Sequence, residues 1–386
     1  MRKICVITGT RAEFGLLSGL MRKIRESGRT QLQVIATNMH LSPRYGNTYQ
    51  EIEKDGFTID RKIPILDDGK DDADATLAAM AKALSGFAAA FSELAPDLVV
   101  VLGDRYEILS AATAALIKGI PIAHIHGGEV TEGAYDDAIR HSITKMSSLH
   151  FTATEAYRKR VIQLGEQPDR VFCVGAPGVE NIRTIPLMDQ AEIEESIGFR
   201  LDDHTILVTY HPATLGSHTA AQDIRAFIDA LDRRKDLRVV FTLPNSDTGS
   251  RDIADAIQAF VARNGDRAIA CKSLGVRRYL SVMKNVAAVV GNSSSGLLEA
   301  PSLGIPTLDI GDRQKGRIAA DSVLHCETDT ESILEGLDRV LCPASREKAS
   351  RVVNPYEKAG TTQAIFDVIS RCPLDGLKQK HFYDLP

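Results

Sequence analysis

Leu98–Leu102 reads LVVVL, and Gly103, Asp104 and Arg105 follow it directly. A short, wholly apolar run that ends in glycine predicts a strand buried on both faces of a parallel sheet. The glycine and the two charges then fall at the carboxyl end of this strand, where open α/β sheets bind their ligands. We expect Asp104 and Arg105 to belong to a site there. The alternative is that Asp104 caps a helix beginning at Tyr106.

Apolar runs of this kind alternate with helix-length amphipathic segments along the chain, a pattern typical of βαβ units. The segment 178–203 interrupts the alternation, because it is rich in charge and poor in strand signals. We therefore expect two doubly wound α/β domains, at 1–180 and 181–360, with parallel sheets. The other predicted strands are Ile4–Thr8, Leu32–Ala36, Ile120–Ile125, Leu149–Thr152, Val171–Val174, Ile206–Thr209, Arg238–Phe241, Ala268–Cys271, Ala287–Val290 and Pro306–Ile310.

The composition excludes several classes of protein. Of 386 residues, 44% are apolar and 25% charged, as in ordinary globular proteins. A net charge of −5 argues against a nucleic-acid partner bound through bulk charge. We find no apolar run near the roughly 20 residues that span a bilayer and no signal-peptide pattern, so we expect no membrane partner and a cytoplasmic location. The six cysteines form no C-x-x-C pair, which favours reduced thiols over a zinc or redox site.

A polar cluster follows another predicted strand. His124–Glu129 reads HIHGGE, and Asp136 lies shortly after it. Imidazole and carboxylate groups gathered at a strand end shift each other's pKa and so divide acid and base roles. A metal site is the competing interpretation, because two histidines with nearby carboxylates are the right ligand types. Against it, His124 and His126 would share one face of a strand, and one of them could simply cap the sheet. We favour acid–base chemistry without a metal; for Asp136, the alternative is an acid at the start of a helix.

Two polar segments of the second half also follow predicted strands. His211 precedes a proline and can exchange protons near neutral pH, although a lone histidine is more often structural. Asn292–Glu299 reads NSSSGLLE and opens a helix predicted over Ser295–Leu303. Three hydroxyls and the N–H groups of a helix start suit a diphosphate, and Glu299 is placed to accept hydrogen bonds from a ribose diol. An N-cap explains one serine but not three.

Two further segments supply arginines. Thr8–Glu13 reads TGTRAE and follows the first strand, so Arg11 could donate to a phosphate; a plain turn with a surface arginine is the alternative. Ile310–Arg317 reads IGDRQKGR, and Arg313 could serve a ligand in the same way. Charge alone favours a solvated loop for that second segment.

Together and in this order, these segments resemble the hydrolysing UDP-N-acetylglucosamine 2-epimerases of bacterial sialic acid (nonulosonic acid) biosynthesis. The resemblance runs through almost the whole chain. The segments that carry it are Thr8–Glu13, Leu102–Glu107, His124–Glu129, Ile139–Met146, Val161–Glu166, Gly291–Gly296, Ile310–Arg317 and Phe382–Pro386.

The resemblance implies a GT-B fold, in which two Rossmann-like doubly wound domains face each other across a cleft. It also implies that residues 361–386 form a C-terminal helix and tail that cross back to the first domain. The implied enzyme converts UDP-N-acetylglucosamine (UDP-GlcNAc) and water to N-acetylmannosamine (ManNAc) and UDP. It does so by anti elimination of UDP and hydration of the resulting glycal, with no metal and no cofactor. A small UDP-sugar is its implied partner, and a homodimer or homotetramer its implied assembly, in a pathway to capsule or lipopolysaccharide.

The resemblance also assigns roles by position. Positions that match or neighbour catalytic ones are Asp104, His126, Glu129, Asp136 and His211. Expected UDP-sugar contacts are Arg11, Arg105, Asn245, Ser293, Ser294, Ser295, Glu299 and Arg313. At the position of His126, animal relatives and non-hydrolysing epimerases carry a glutamate. The base that removes the C2 proton therefore stays open among His126, Glu129 and Asp136.

Four other functions compete with this one. The nearest is the same reaction on UDP-2,4-diacetamido-2,4,6-trideoxyglucose, on the legionaminic acid route. The non-hydrolysing epimerase and a metal-dependent hydrolase are more distant enzymes. A non-catalytic UDP-sugar sensor would keep the serines and Glu299 but would have no reason to retain the acid–base groups, which is why we favour an enzyme.

Overall fold

The computed structural model describes residues 1–67, 70–215 and 218–385. Its strands form two sheets in which every paired neighbour is parallel. The strands of the first sheet are β1 (Arg2–Thr8), β2 (Thr30–Thr37), β3 (Arg61–Ile63), β4 (Leu98–Leu102), β5 (Ile122–Ile125), β6 (Leu149–Thr152) and β7 (Val171–Cys173). Those of the second are β8 (Thr205–Thr209), β9 (Arg238–Thr242), β10 (Ala268–Cys271), β11 (Ala288–Gly291), β12 (Thr307–Ile310) and β13 (Val323–Cys326).

Helices connect the strands and cover the sheets. They are α1 (Arg11–Glu26), α2 (Tyr49–Lys54), α3 (Ala73–Leu94), α4 (Tyr106–Ile117), α5 (Asp136–Met146), α6 (Glu155–Gln163), α7 (Pro177–Thr184), α8 (Gln190–Ile197), α9 (Ala220–Arg233), α10 (Ser250–Arg263), α11 (Gly275–Lys284), α12 (Ser294–Leu298), α13 (Thr330–Val340), α14 (Pro343–Ser350) and α15 (Thr361–Arg371).

Both sheets have the strand order of a doubly wound fold. The first runs β3-β2-β1-β4-β5-β6-β7, and the second runs β10-β9-β8-β11-β12-β13. The order reverses between β1 and β4 in one sheet and between β8 and β11 in the other. Successive connections leave in opposite directions at such a reversal, which opens a crevice at the carboxyl ends of the two strands. Each sheet thus has one such crevice, where a doubly wound fold is expected to bind its ligand.

The central strands are buried on both sides. In β4, Leu98, Val100 and Leu102 join one apolar cluster, whereas Val99 and Val101 join another on the opposite face. This alternation follows from the two-residue period of a strand, and both faces are apolar because helices cover both.

The chain divides into two compact units. Unit 1 comprises 1–129, 136–181 and 356–386, and unit 2 comprises 130–135 and 182–355. The short segment 130–135 belongs with unit 2 because its backbone hydrogen-bonds there, for example from the Glu132 N–H to the Lys315 carbonyl at 3.1 Å. The sequence did not predict that 130–135 would belong to unit 2 while its flanking residues belong to unit 1.

The last helix belongs to unit 1. α15 packs against α1, and Ile365, Phe366 and Ile369 join the apolar cluster that contains the buried face of α1. Arg2 donates to the carbonyls of Ile369 (2.6 Å) and Cys372 (2.7 Å). The segment that joins unit 1 begins at Tyr356, five residues before the helix.

Within the part of the chain that the structure describes, one helix is long and apolar enough by length and composition to cross a membrane, contrary to the expectation that no apolar run approaches that length. It is α3, with 22 residues. Five of its side chains, among them Phe87 and Phe91, are buried in the core of unit 1. A core helix passes the same test, so this is weak evidence for a membrane.

The structure confirms the predicted strands Leu98–Leu102, Leu149–Thr152 and Ala268–Cys271 to the residue. It adds β3 and β13, which the sequence did not predict. It also places α7 and α8 within or beside 178–203, where we expected a boundary rich in charge.

Candidate active site

In unit 1, the carboxyl ends of β1 and β4 lie side by side at the reversal of strand order. Arg11 opens α1 directly after the loop that leaves β1. Asp104 and Arg105 occupy the turn between β4 and α4. Three of the predicted site residues therefore lie just after the ends of two neighbouring strands.

A buried carboxyl pair supports these two turns. Glu13 accepts hydrogen bonds from the N–H groups of Gly9 (2.7 Å) and Thr10 (3.0 Å). Glu107 is fully buried, and its Oε1 accepts a hydrogen bond from Arg105 Nε at 2.7 Å. Burial, together with the charge of Glu107, raises the pKa of Glu13 to about 8. The raised pKa favours the protonated form of Glu13, while Glu107 holds Arg105.

Asp104 pairs with a buried arginine and does not cap α4. The N-cap of α4 is Arg105, whose side chain makes no capping hydrogen bond, so the capping alternative for Asp104 is wrong. Asp104 Oδ2 accepts from Arg140 Nε at 2.9 Å and from a second guanidinium nitrogen. Arg140 is 1% exposed and also donates to the Glu129 carbonyl at 2.9 Å. One guanidinium thus joins the ends of β4 and β5.

His126 and Glu129 form a second pair. His126 follows β5 with φ of 68°, an uncommon backbone conformation for a residue with a side chain. Its Nδ1 lies 2.6 Å from Glu129 Oε1, and both side chains are buried. A carboxylate that accepts the Nδ1 proton leaves Nε2 as the basic nitrogen of the neutral ring. The pair therefore has the arrangement of an oriented general base.

His124 and His126 do not lie in one strand as expected, because β5 ends at Ile125 and His126 has a left-handed backbone. His124 is fully buried in β5, with Nε2 donating to the Gly103 carbonyl at 2.7 Å and Nδ1 lying 3.2 Å from Thr144 Oγ1. Burial lowers the pKa of His124 to about 3, which keeps it neutral. Across 1–67, 70–215 and 218–385, no group of three or more His, Cys, Asp or Glu side chains is arranged to hold a metal ion.

Asp136 is the first residue of α5 and lies one turn before Arg140. The next residue, Asp137, is 3.2 Å from Arg140 through Oδ1 and 3.4 Å from His141 through Oδ2. Burial lowers the pKa of His141. The start of α5 therefore concentrates carboxylates and imidazole around the buried guanidinium.

Unit 2 places its predicted residues at the corresponding reversal, between β8 and β11. Gly291 ends β11 with φ of 132°, and a Cβ there would lie 2.1 Å from the Thr209 carbonyl oxygen. Only glycine fits this close approach of two backbones. The His211 N–H donates to Asn292 Oδ1, and Asn292 Nδ2 donates to the His211 carbonyl, both at 2.7 Å. Asn292 thus fixes the two strand ends to each other.

His211 is 6% exposed and has a defined ring orientation. Its Nδ1 accepts a hydrogen bond from the Asn245 N–H at 3.5 Å. The proton of the neutral ring then resides on Nε2, which can donate to a ligand. The structure brings Asn245 to His211 through its backbone, which the sequence did not indicate.

The three serines surround the start of a helix shorter than expected. Ser293 is the N-cap of α12. Ser295 Oγ lies 3.1 Å from Ser293 Oγ and 2.5 Å from the Tyr279 hydroxyl. The predicted helix Ser295–Leu303 is wrong in extent, because α12 ends at Leu298 and a 3₁₀ turn follows. With five residues the helix dipole is small, so hydroxyls and N–H groups are the available donors.

The loop after β12 reaches Asn292, which precedes the serines, although its charge favoured a solvated loop. Arg313 and Gln314 both donate to the Asn292 carbonyl, at 3.1 Å and 2.8 Å. Glu299 is 8% exposed and follows α12 directly. Unit 2 therefore gathers hydroxyls, an arginine and one carboxylate near the end of β11.

A profile of the family described as UDP-N-acetylglucosamine 2-epimerase matches residues 22–370. This chain belongs to that family. Its members are enzymes of the UDP-sugar 2-epimerase type, and the fold described above is theirs.

Relatives support the hydrolysing branch of the UDP-N-acetylglucosamine 2-epimerase family. The chain is 43% identical to the GDP/UDP-N,N'-diacetylbacillosamine 2-epimerase (hydrolyzing) of Campylobacter jejuni, over 87% of this chain and 88% of the relative. It is 39% identical to polysialic acid biosynthesis protein P7 of Escherichia coli, over 100% and 98%. The UDP-GlcNAc 2-epimerase of Neisseria meningitidis, solved bound to UDP-GlcNAc, has the same fold, with TM-score 0.78, 18% identity and coverage of 95% and 99%.

Sequence reasoning assigned no role to several side chains that organise the candidate ligand positions of the two units. Arg140 and Asn292 each tie two strand ends together, and Tyr279 orients Ser295. For Arg140 a signal existed, because it stands one turn after Asp136 on an amphipathic helix. For Tyr279 there was none, since its partner lies 16 residues away on another element.

Proposed function

We propose that this protein is a hydrolysing 2-epimerase that converts UDP-GlcNAc and water to ManNAc and UDP. The observation that carries the proposal is the oriented pair of His126 and Glu129, linked through Arg140 to Asp104. These groups lie at the carboxyl ends of β4 and β5, where a doubly wound domain binds its ligand.

The first step requires a base at C2 of the sugar. His126 Nε2 is suited to it, because Glu129 accepts the Nδ1 proton and stabilises the imidazolium that forms. The base takes the C2 proton, the C2–H electrons form the C1–C2 double bond, and the C1–O bond breaks to release UDP. Asp136 is then the second acid–base group near the start of α5.

Departure of UDP requires donors for its developing negative charge. Unit 2 offers the hydroxyls of Ser293 and Ser295 and the guanidinium of Arg313. Glu299 is suited to accept hydrogen bonds from the two ribose hydroxyls.

The second step hydrates the glycal. A water oxygen adds to C1 and one proton from that water goes to a protein base. The electrons of the C1–C2 double bond take a proton from Asp136, in its acid form, on the face of C2 opposite to the one that lost its proton, and the proton on His126 leaves to solvent. Asp104 is held as a carboxylate by Arg140, so it is suited to accept the water proton. The net change is inversion at C2 and hydrolysis of the C1–O bond, with no metal or cofactor taking part.

UDP-2,4-diacetamido-2,4,6-trideoxyglucose is the second candidate substrate. It is favoured by the 43% identity to a relative whose name specifies N,N'-diacetylbacillosamine. UDP-GlcNAc is favoured by the full-length match to a polysialic acid biosynthesis protein. Both substrates require the same two steps at C1 and C2.

Proton NMR in heavy water tests the proposal. The purified protein is given each sugar nucleotide separately, with Asp104→Asn as the inactive control. We expect free ManNAc with deuterium at C2, and UDP, from UDP-GlcNAc. Turnover of the diacetamido sugar alone would establish the second candidate. UDP-ManNAc without hydrolysis, or tight UDP binding without turnover of either substrate, would contradict hydrolytic epimerisation.

A further inference from the structure

The segment 374–383, here called the C-terminal strap, packs on unit 1 beyond α15. Ser148 Oγ donates to the Leu377 carbonyl at 2.7 Å. The Tyr383 N–H donates to the Gly165 carbonyl at 2.9 Å. Gly165 has φ of 87°, and a Cβ there would lie 2.3 Å from the ring of Phe382. The strap therefore has a defined path along the ends of α5 and α6.

Lys380 makes the densest set of contacts in the strap. Its Nζ lies 2.7 Å from the Lys145 carbonyl, 2.5 Å from the Ser147 carbonyl and 2.7 Å from Glu166 Oε2. Three acceptors match the three protons of an ammonium group. The Lys380 side chain is 22% exposed.

These contacts complete the C-terminus of α5. The last carbonyls of a helix have no partner within it and need one from outside. Ser147 satisfies two of them, through Oγ to Ile143 and through its N–H to Thr144. Lys380 satisfies that of Lys145. A positive charge also interacts favourably with the negative end of the helix dipole.

Glu166 anchors the ammonium from the other side. It accepts hydrogen bonds from Lys145 (2.6 Å) and His150 (2.9 Å) as well as the contact with Lys380. Burial raises the pKa of Glu166, but these partners more than reverse the effect and lower it to about 2. The carboxylate is therefore charged throughout the physiological range and holds the strap electrostatically.

Asp136 begins α5 at its opposite end, and the buried Arg140 lies one turn further along the helix. α5 has 11 residues, so the two ends are roughly 15 Å apart. A helix is stiff along its axis, so a shift at its C-terminus moves Arg140 and with it the carboxylate of Asp104.

We propose that Lys380 is a positioning residue for the reaction, and that the C-terminal strap holds α5 in the register that places Arg140 against Asp104. The inference rests on the proposed function, because it assumes that these groups act in turnover. Lys380 itself lies at the far end of α5 and has no role in proton transfer.

The test compares Lys380→Met with Lys380→Arg and with Lys378→Met, which removes an exposed lysine of the same strap. Steady-state kinetics on UDP-GlcNAc, UDP affinity by calorimetry and amide hydrogen exchange of residues 140–147 are measured for each. Phe382→Ala is a milder variant should Lys380→Met fail to fold. It removes the ring over Gly165 and leaves the ammonium in place.

We expect Lys380→Met to lower kcat by about 10- to 100-fold, because misplacement of about 1 Å costs that much. UDP affinity should be unchanged, exchange at 140–147 should rise, and Lys380→Arg should recover most of kcat. Unchanged exchange, or raised exchange with unchanged kcat, would overturn the proposal. Equal losses in Lys378→Met would also overturn it. A wild-type protein inert towards both sugar nucleotides would contradict the proposed function alone, and the exchange measurement would still decide whether the strap fixes α5.

Discussion

Replacing Arg140 by lysine should impair turnover far more than stability. The Arg140 guanidinium makes a forked contact with Asp104 and a third hydrogen bond to the Glu129 carbonyl at 2.9 Å. A lysine ammonium keeps the charge, but its three donors diverge from one nitrogen and cannot reproduce a planar fork. Asp104 would then keep a counter-charge and lose its fixed orientation.

The expected loss in the free energy of unfolding depends on which groups each substitution of Arg140 leaves without a partner. Removing one partner of a buried ion pair costs about 3–5 kcal/mol, and water offsets part of this because the Asp104 side chain is 21% exposed. We expect Arg140→Met to lower the free energy of unfolding by about 2–4 kcal/mol. Arg140→Lys should lower it by about 1 kcal/mol, the net worth of one hydrogen bond.

Urea denaturation and initial rates measured on the same preparations check both values. Arg140→Lys should lose at least about 10-fold in kcat, since orientation of a catalytic group is worth that much. Arg346→Lys, at an exposed arginine of α14, is the matched control and should change neither quantity. If Arg140→Lys turned over substrate within twofold of the wild type, the fork would have no part in catalysis. An Arg140→Met protein as stable as the wild type would refute the buried-pair reasoning.

Three further substitutions test other parts of the structure. Glu166→Gln should lower the free energy of unfolding by about 3 kcal/mol at pH 7, because the pKa of Glu166 is about 2 in the folded protein and 4.5 ordinarily. The wild type should lose this advantage as pH falls from about 5 to 2, and urea titrations at several pH values would detect the loss. Glu13 has a pKa raised to about 8, so the wild type should lose stability as pH rises from 4.5 to 8, whereas Glu13→Gln should show a flatter profile over that range. Gly291→Ala should lower the melting temperature sharply, because its Cβ would meet the Thr209 carbonyl, and an unchanged melting curve would mean that the two strand ends separate easily.

The core strands were predictable because the apolar residues that make them buried are consecutive in the sequence. A run such as LVVVL carries its own signal, since every side chain in it is apolar. β3 and β13 lie at the edges of their sheets and include polar residues, Arg61 and Lys62 in one and His325 in the other. An edge strand has one side without a neighbouring strand, so its sequence need not be apolar.

The candidate site was predictable in place but not in its pairings. Parallel strands end at one edge of a sheet, so polar residues after each apolar run could be assigned to that edge from the sequence. The partner of Asp104 could not, because Arg140 lies 36 residues away and a nearby helix start offered a local alternative. The left-handed backbone of His126 was also hidden, since non-glycine residues seldom adopt it.

Unit 1 is built from segments on either side of unit 2 in the sequence, which bears on how the chain is synthesised. The 174 residues from 182 to 355 emerge before α15, and at ribosomal rates they take roughly 10–35 s. During that time the apolar face of α1 lacks Ile365, Phe366 and Ile369. All residues of unit 2 are synthesised before those of unit 1 are complete, because unit 2 ends at residue 355. The middle of the message thus encodes the unit that can finish folding earliest, and a chaperone that shields one helix face has a defined interval in which to act.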